Sequence, residues 1–360
     1  MTRIFWGVMG EGLGHVTRTL AVIEHLRGAE VHLFSSGQAL AFLREAGYPH
    51  AHRIEGLVFR YKGARVAKWA SLRGATGFFL RSRTRNVRRI LDMADRLRPA
   101  LMVTDFEPSM PIAARHRAVP LLSVDNQHRF SHCRVPDLPL GLRWYAKLVG
   151  GYIRFALGQP RGVIVSTFCP EYLQPISRRV ILVPSIIRSA VAALTPTDEG
   201  FVLAYARASI RDRLLACLGP LDRSCVVYGA SPAASHENLR CKPLSPDFVR
   251  DLARCSCVVA TAGHQLISEA GYLGKPILAI PEPGQYEQYV NAFFLEKVKG
   301  GARCDWRQLT PESVRRFVTG SEPRPRRTAN GAAEVARLIQ AELRGVPRSG
   351  IVPRAREVFL

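Results

Sequence analysis

Two polar residues in the first third of the chain have side chains suited to proton transfer. His15 ends the glycine-rich turn GEGLGH, which follows the apolar run Ile4–Met9, and Asp105 follows another apolar run at 100–104. If both runs are parallel strands of one sheet, their carboxyl ends meet at the same edge and the two side chains lie close together. A carboxylate beside an imidazole fixes its tautomer and raises its basicity, so the ring can take a proton from a hydroxyl near neutral pH. The alternative role for Asp105 is to cap the next helix.

A second stretch, at 257–295, has the spacing of an anion site. The short apolar run Val258–Ala260 ends at Thr261-Ala262-Gly263, and a helical pattern begins at His264. The glycine turn lets the backbone approach an anion, and the first amides of a helix point outward with partial positive charge. The order of strand, glycine turn and helix therefore predicts a phosphate or diphosphate site at Gly263 and His264.

The next strand-to-helix turn carries polar side chains at the same predicted edge. Ile277–Ile280 is followed by a helix with Gln285, Glu287 and Gln288. Two consecutive turns of one parallel sheet open onto one crevice, so one can hold phosphates while the other hydrogen-bonds a polyhydroxylated ligand. Glu269 lies about one and a half turns into the preceding helix, where its carboxylate can accept two vicinal hydroxyls of a ribose. The alternative for each of these side chains is a solvated helix surface.

This stretch resembles the nucleotide-sugar motif of GT-B glycosyltransferases. The resemblance is to the branch that includes the lipid-linked N-acetylglucosamine transferase of peptidoglycan synthesis and the UDP-glycosyltransferases, with a carboxyl-terminal domain of the family 28 type. In that family the glycine turn and helix bind the donor diphosphate, the glutamate binds ribose, and an acidic-Gln or Gln-Gln pair before Asn-Ala binds the sugar. The donor-binding residues implied by the resemblance are Leu244, Gly263, His264, Gln265, Glu269, Gln285, Glu287 and Gln288.

The amino-terminal glycine loop resembles the corresponding loop of the same family. Its last residue there is a histidine, which several UDP-glycosyltransferases pair with an aspartate, and this implies that His15 and Asp105 are the catalytic residues. A dinucleotide fingerprint is the weaker interpretation, because the third glycine is displaced and the second strand ends at Ser35-Ser36 without an acidic residue. The residues expected on the acceptor side are Gly12, Gly14, Asn126, Gln127 and His128. The alternative for the last three is a plain polar loop.

One position departs from the family pattern. Related enzymes often have a glycine-serine loop after the first strand of the carboxyl-terminal domain, whereas this chain has Tyr205-Ala206-Arg207-Ala208-Ser209. Either Arg207 supplies a positive charge for the leaving diphosphate, or the phosphate contact at this loop is weaker.

Apolar runs alternate with helical patterns along most of the chain, which predicts mostly parallel sheets with right-handed crossovers. The expected fold class is α/β, in the GT-B arrangement of two Rossmann-like, doubly wound domains that face a central cleft. The expected parts are an acceptor-binding domain at 1–183, a nucleotide-sugar domain at 184–346 and a basic tail at 347–360.

The charge balance favours anionic partners. Lys and Arg number 51 against 29 Asp and Glu, a formal net charge of +22, which suits nucleic acid, an anionic membrane face or phosphorylated substrates. Eight cysteines without a C-x-x-C pair indicate reduced thiols in a cytoplasmic protein. The first strand begins at Arg3, so no signal peptide is expected, and no run reaches the roughly 18 apolar residues of a spanning helix.

Two basic segments of the first half also carry large apolar side chains. Residues 60–98 contain twelve Lys or Arg, and Leu140–Leu157 has Arg143, Lys147 and Arg154 without any acidic residue. Each basic group near an anionic leaflet contributes about 1 kcal/mol, so the two segments predict peripheral association with the inner face of the cytoplasmic membrane. The alternative for Leu140–Leu157 is a core helix with snorkelling arginines.

The resemblance implies an inverting glycosyltransferase that moves a sugar from a nucleotide-diphosphate donor, expected to be a UDP-sugar, to a hydroxyl of a lipid-linked or membrane-associated acceptor. No D-x-D motif follows a predicted strand, so neither a metal ion nor another cofactor is expected. The alternatives are an enzyme similar to UDP-N-acetylglucosamine 2-epimerase and a non-catalytic protein that binds nucleotide sugars or anions. Specific nucleic-acid binding is not expected, because the chain has no RNA- or DNA-reading motif.

Overall fold

The chain folds into two compact units. The computed structural model describes residues 1–56, 61–62, 65–66, 78–205, 207, 209–326 and 329–345. Within these residues the first unit runs from Met1 to Arg188, apart from strand residues 61–62 and 65–66, and resumes at Ala329; the second begins at Ser189 and ends before Ala329. The predicted tail at 347–360 and most of the basic segment between 57 and 77 lie outside the described residues.

The strands, in chain order, are short and mostly apolar. They are β1 (Thr2–Val8), β2 (Ala29–Ser35), β3 (Ala51–Arg53), β4 (Tyr61–Lys62), β5 (Arg65–Val66), β6 (Leu101–Asp105), β7 (Leu121–Asp125), β8 (Cys133–Arg134), β9 (Gly162–Thr167), β10 (Gln174–Pro175), β11 (Val180–Pro184), β12 (Val202–Tyr205), β13 (Cys225–Tyr228), β14 (Leu239–Lys242), β15 (Cys257–Thr261), β16 (Ile277–Ile280) and β17 (Gly301–Arg303).

Helices alternate with these strands. They are α1 (Gly14–Ile23), α2 (Gly37–Glu45), α3 (Arg83–Leu97), α4 (Met110–His116), α5 (Arg129–His132), α6 (Leu140–Leu157), α7 (Ser189–Ala192), α8 (Arg211–Leu218), α9 (Asp247–Arg254), α10 (His264–Tyr272), α11 (Tyr286–Lys297), α12 (Pro311–Thr319) and α13 (Gly331–Leu343). A single π-helical turn, Phe78–Ser82, precedes α3, and 3-10 turns lie at Pro170–Tyr172 and Pro232–Ala234.

The first unit is built on a parallel sheet that, among the described residues, has seven strands in the order β11-β9-β7-β6-β1-β2-β3. Helices cover both faces, so the strands are apolar on both sides. In β1, Trp6 packs into one core cluster and Phe5 into another. The strand order reverses between β1 and β6. Open α/β sheets bind ligands at the carboxyl ends of the strands next to such a reversal.

The second unit has a parallel sheet of the same kind, with six strands within the described residues in the order β14-β13-β12-β15-β16-β17. The order reverses between β12 and β15, which places the crevice of this sheet beside the turn from β15 to α10. Each unit is therefore a doubly wound α/β domain, and the predicted fold class is confirmed.

The last helix, α13, belongs to the first unit, whereas the sequence placed it with the second. Val335 and Ile339 pack into the core cluster that contains Trp6. The Gly331 amide donates to Ser185 O at 3.0 Å, and a Cβ at Gly331 would lie 2.1 Å from Pro184 O. The chain therefore crosses back after the second unit, and the close approach explains the glycine at this position.

Two predicted elements have the expected bounds. The helix at Leu140–Leu157 and the strand at Ile277–Ile280 agree with the structure. The helix that carries His15 begins at Gly14 and ends at Ile23. All eight cysteines are free, and seven of them are buried.

Candidate active site

The catalytic pair predicted from the sequence lies where the first sheet reverses its order. His15 is the second residue of α1, and Asp105 ends β6 in register with Val8 of β1. His15 Nδ1 lies 2.8 Å from Asp105 Oδ1, so the expected imidazole–carboxylate contact is present. A carboxylate at Nδ1 leaves the other ring nitrogen, Nε2, to exchange a proton with a substrate.

Arg18 completes this site, although the glycine-loop pattern does not point to it. It follows His15 by about one turn of α1 and is 4% exposed. Its guanidinium spans both oxygens of Asp105: Nε donates to Oδ2 at 2.7 Å, and Nη2 makes a short contact with Oδ1. Nη2 also lies 2.8 Å from His15 Nδ1. The spacing of three residues within one helix is the pattern that could have indicated this proximity.

The predicted acceptor residues after β7 form a buried polar network. Asn126, Gln127 and His128 are all buried, and Gln127 Oε1 lies 3.5 Å from Arg18 Nη2. His128 Nδ1 is 2.6 Å from Asp125 Oδ2, and the His128 amide donates to Asp125 Oδ1 at 2.7 Å. Burial raises the pKa of Asp125, but His128 and then Arg18 outweigh burial and lower this pKa to about 2. These contacts hold the buried side chains in place next to Arg18. Direct contact of Asn126, Gln127 or His128 with an acceptor stays a prediction.

The two loop glycines have distinct positions. Gly12 has a φ of 78°, in the left-handed region that glycine favours, and its amide donates to Gln38 Oε1 at 3.2 Å. Gly14 is the first residue of α1. The turn thus leads β1 directly into the helix that carries His15.

Two aromatic side chains that the sequence did not predict at this site, Phe106 and Tyr152, lie near His15. The Phe106 ring centroid lies 6.5 Å from that of His15, with the rings stacked, and Tyr152 of α6 lies 6.4 Å from Phe106. Phe106 directly follows Asp105 and has a φ of 59°. Such a backbone conformation is rare for a bulky residue and concentrates at functional sites.

The predicted donor turn lies at the reversal of the second sheet. Gly263 is the N-cap of α10, which follows β15. Asn291 of α11 is buried and its Nδ2 donates to Ala262 O at 3.0 Å, which holds the turn in place. A helix that starts at this edge directs its first amides to the crevice, which is the geometry of a phosphate site.

Glu269 and Gln265 lie together on α10. Glu269 is 1% exposed, and Gln265 Nε2 donates to its Oε1 at 2.8 Å. Their spacing of four residues places them on one face of the helix, and His264 at its start is also buried. The structure therefore brings these predicted donor residues together, and their contacts with a ligand stay predictions.

Gln288 is held by Glu282, a residue to which the sequence pattern assigned no role. The Glu282 amide donates to Gln288 Oε1 at 3.0 Å, and Gln288 Nε2 donates to Glu282 Oε2 at 2.7 Å. Glu282 also makes a short contact with Ser209 Oγ and lies 3.4 Å from Arg207 Nη1. Arg207, for which one alternative was a contact with the leaving diphosphate, thus has a carboxylate partner, and both polar atoms of the Gln288 amide are held by Glu282.

The remaining predicted donor residues are accessible. Leu244, two residues after β14, is 53% exposed, which is unusual for a leucine at a strand end. Gln285 and Glu287, at the start of α11, are partly exposed. These positions suit contacts with a ligand in the crevice of the second sheet.

The helix α6 exposes apolar side chains along one face. Leu140, Trp144, Leu148 and Phe155 are 72%, 66%, 72% and 79% exposed, and spacings of four and seven residues align them in one stripe. The opposite face is buried and includes Ile153, so this part of the helix packs in the core, and membrane contact of the exposed face stays a prediction. In the described part of segment 60–98, Phe78 is buried and does not extend the stripe.

Comparison with known proteins identifies the family. The family model described as Glycosyl transferase family 1 matches residues 2–320. The chain belongs to this glycosyltransferase family. It is 24% identical to an uncharacterized glycosyltransferase of Methanosarcina acetivorans over 343 residues, which covers 84% of each chain.

The glycosyltransferase is also similar in sequence to one named transferase and in structure to another. It is 30% identical over 110 residues, 29% of each chain, to the UDP-N-acetylglucosamine--N-acetylmuramyl-(pentapeptide) pyrophosphoryl-undecaprenol N-acetylglucosamine transferase of Rhodopseudomonas palustris. The crystal structure of Acinetobacter baumannii MurG is similar, with a TM-score of 0.58 and 17% identity over 94% of this chain and 99% of that chain. The glycosyltransferase therefore has the GT-B fold that the sequence motif predicted.

The described residues of the glycosyltransferase contain neither a candidate metal centre nor a candidate membrane-spanning helix. In the part of the chain that the structure describes, no group of three His, Cys, Asp or Glu side chains is arranged to hold a metal ion. No helix among the described residues combines the length and apolar character needed to cross a bilayer.

Proposed function

We propose that this glycosyltransferase moves a sugar, with inversion, from a UDP-sugar to a hydroxyl of a lipid-linked or membrane-associated acceptor. The observation that carries the proposal is the contact between His15 and Asp105. The acceptor oxygen attacks the anomeric carbon as its proton passes to His15 Nε2. The bond between the anomeric carbon and the diphosphate oxygen breaks, and its electron pair leaves with the diphosphate. A single displacement of this kind inverts the anomeric centre.

The second unit supports a nucleotide-diphosphate donor. The first amides of α10 follow the turn at Gly263 and suit a diphosphate, whose charge grows as it leaves. We assign Glu269 to accept hydrogen bonds from the ribose hydroxyls, and Glu287 with Gln288 to bind the sugar. The UDP-N-acetylglucosamine in the name of the Rhodopseudomonas relative supports uridine as the nucleoside.

The helix α6 supports an acceptor at a membrane surface. Its exposed stripe is apolar, and Lys147 Nζ lies 5.2 Å from the ring centroid of Trp144 at the edge of that stripe. The same helix carries Tyr152, which adjoins Phe106 beside His15. One helix thus links the proposed base to a surface suited to an anionic bilayer. The undecaprenol in the relative's name is a lipid carrier of this kind.

A panel of nucleotide sugars tests the donor assignment. Melting temperatures are measured with UDP-, dTDP- and GDP-sugars at equal concentrations, with inorganic phosphate as the control ligand. A ligand that binds only the folded protein raises the melting temperature, so UDP-sugars should give the largest increase. A larger increase with GDP- or dTDP-sugars would assign guanosine or thymidine to the donor in place of uridine. No increase with any of the nucleotide sugars would contradict the proposed donor class.

A further inference from the structure

Arg18 contacts both Asp105 and His15 but has no role in the proposed reaction as described above. We propose that Arg18 is a positioning residue for His15, which fixes Asp105 by a two-point contact and keeps the imidazole neutral. A neutral ring with its hydrogen on Nδ1 can accept the proton of the acceptor hydroxyl at Nε2. The inference rests on the proposed function, because it assigns His15 as the base.

Two neighbours compete for the same nitrogen of His15. Asp105 Oδ1 and Arg18 Nη2 each lie 2.8 Å from Nδ1. If Nδ1 accepted from the guanidinium, the hydrogen of the neutral ring would be on Nε2; when Nδ1 instead donates to the carboxylate, Nε2 can accept a proton. Asp105 therefore selects the tautomer that can act as a base, and protonation of Nε2 places a second positive charge against the guanidinium. The geometry therefore favours the neutral ring.

Burial strengthens this effect. The side chains of Arg18 and Asp105 are 5% and 1% exposed, and that of His15 is 14% exposed. Charges in such a site are screened less than on the surface. An isolated carboxylate would stabilise the imidazolium. Arg18 keeps its own charge throughout the pH range of a folded protein, so it permanently offsets the charge of Asp105.

The two-point contact also positions Asp105. Arg18 Nε and Nη2 engage separate carboxylate oxygens, and this planar fork restrains the rotation of the carboxylate. A lysine at the same position retains the positive charge but cannot make the two-point contact with the carboxylate. The two contributions of Arg18, charge and orientation, can therefore be separated by substitution.

The experiment follows the titration of His15 by NMR of ¹³C-labelled histidine side chains, with its signal assigned by loss in His15→Gln. Arg18→Met leaves Asp105 uncompensated, so the midpoint should move to higher pH by about one unit or more. Arg18→Lys keeps the charge, so its midpoint should move less while turnover still falls. Arg3→Met, which removes an ion pair with Glu30 outside the site, is the control and should leave the midpoint unchanged.

An unchanged midpoint in Arg18→Met would overturn the inference. If that variant does not unfold cooperatively, Asp105→Asn is compared with Asp105→Asn/Arg18→Met. The midpoint should be higher in the double variant, and equal midpoints would overturn the inference as well. Failure of the proposed function is distinguishable, because wild-type turnover in His15→Ala would contradict the base assignment whatever the titrations show.

Discussion

Asp105 and Glu269 are both 1% exposed, and each is held by a neighbour that determines what it can bind. Asp105 contacts Arg18 and His15, so its negative charge interacts with side chains of the protein itself. Glu269 accepts from Gln265 Nε2 at 2.8 Å. A carboxylate can accept about four hydrogen bonds, so the contact with Gln265 does not by itself exclude a ligand. The first carboxylate therefore suits orientation of a base, and the second suits recognition of a ligand.

The ribose assignment predicts the effect of removing the second carboxylate. Hydrogen bonds to a charged group contribute about 1.5–3 kcal/mol each, so Glu269→Ala should weaken UDP binding by at least about tenfold. Isothermal titration calorimetry with UDP measures the effect. The matched control is Glu296→Ala on α11, whose partner is the surface residue Arg303, and it should bind UDP like wild type. Equal affinity in Glu269→Ala and wild type would contradict the assignment.

The site residues divide by whether local sequence determines their position. His15 and Asp105 could be predicted, because each follows a recognisable strand of a parallel sheet. The contact of Arg18 with Asp105 joins residues 87 positions apart, and that of Glu282 with Ser209 joins residues 73 apart. Such contacts depend on side-chain rotamers and on the packing of distant elements. No local pattern encodes them.

At the scale of elements, α6 carries the proposed membrane contact. Fully burying one large apolar side chain contributes roughly 1.5–3 kcal/mol, so Trp144→Ser/Phe155→Ser should weaken vesicle binding by at least about tenfold. Co-sedimentation with vesicles of phosphatidylcholine and phosphatidylglycerol measures the change. Ile176→Ser, which alters an exposed apolar residue outside α6, should bind like wild type. Similar binding by all three proteins would show that α6 is not the contact surface.

A second element, the edge formed by β2 and β3, predicts sensitivity to acid. The ring centroid of His32 lies 4.6 Å from that of His50 and 5.1 Å from that of His52. Burial, followed by the charges of His32 and His50, lowers the pKa of His52 from 6.5 to about 4. Between these two values the unfolded chain binds a proton that the folded chain does not. The free energy of unfolding should therefore decrease as the pH falls from 6.5 towards 4.

Melting temperatures measured from pH 7.5 to 4.5 check this expectation. The decrease on acidification should be smaller in His52→Gln, because the substitution removes the proton that the unfolded chain gains. His25→Gln, at an exposed histidine, should follow the wild-type curve. Part of the decrease should persist in His52→Gln, since burial and then the charge of His128 lower the pKa of His132 to about 4 as well. A wild-type slope in His52→Gln would contradict the interpretation.

At the scale of the whole molecule, the alternation of strands and helices predicted two doubly wound units. It did not predict that α13 returns to the first unit. The apolar face of α13 has the same pattern whichever sheet it covers, so its partner depends on where the chain crosses back. Asn330, whose Oδ1 accepts from the Ile187 amide at 3.0 Å, joins the two crossing segments. An asparagine before a helix indicates only a cap.

The central claim is that His15 is the base of a glycosyl transfer from a nucleotide-diphosphate donor. It is tested most directly by measuring UDP affinity and UDP release from UDP-N-acetylglucosamine, with a bacterial membrane lipid extract as acceptor, in wild type, His15→Ala and the surface control His25→Ala. General base catalysis contributes roughly 10²–10⁴-fold, so His15→Ala should lose activity by a factor in that range while binding UDP like wild type. UDP release by His15→Ala at the wild-type rate would contradict the account.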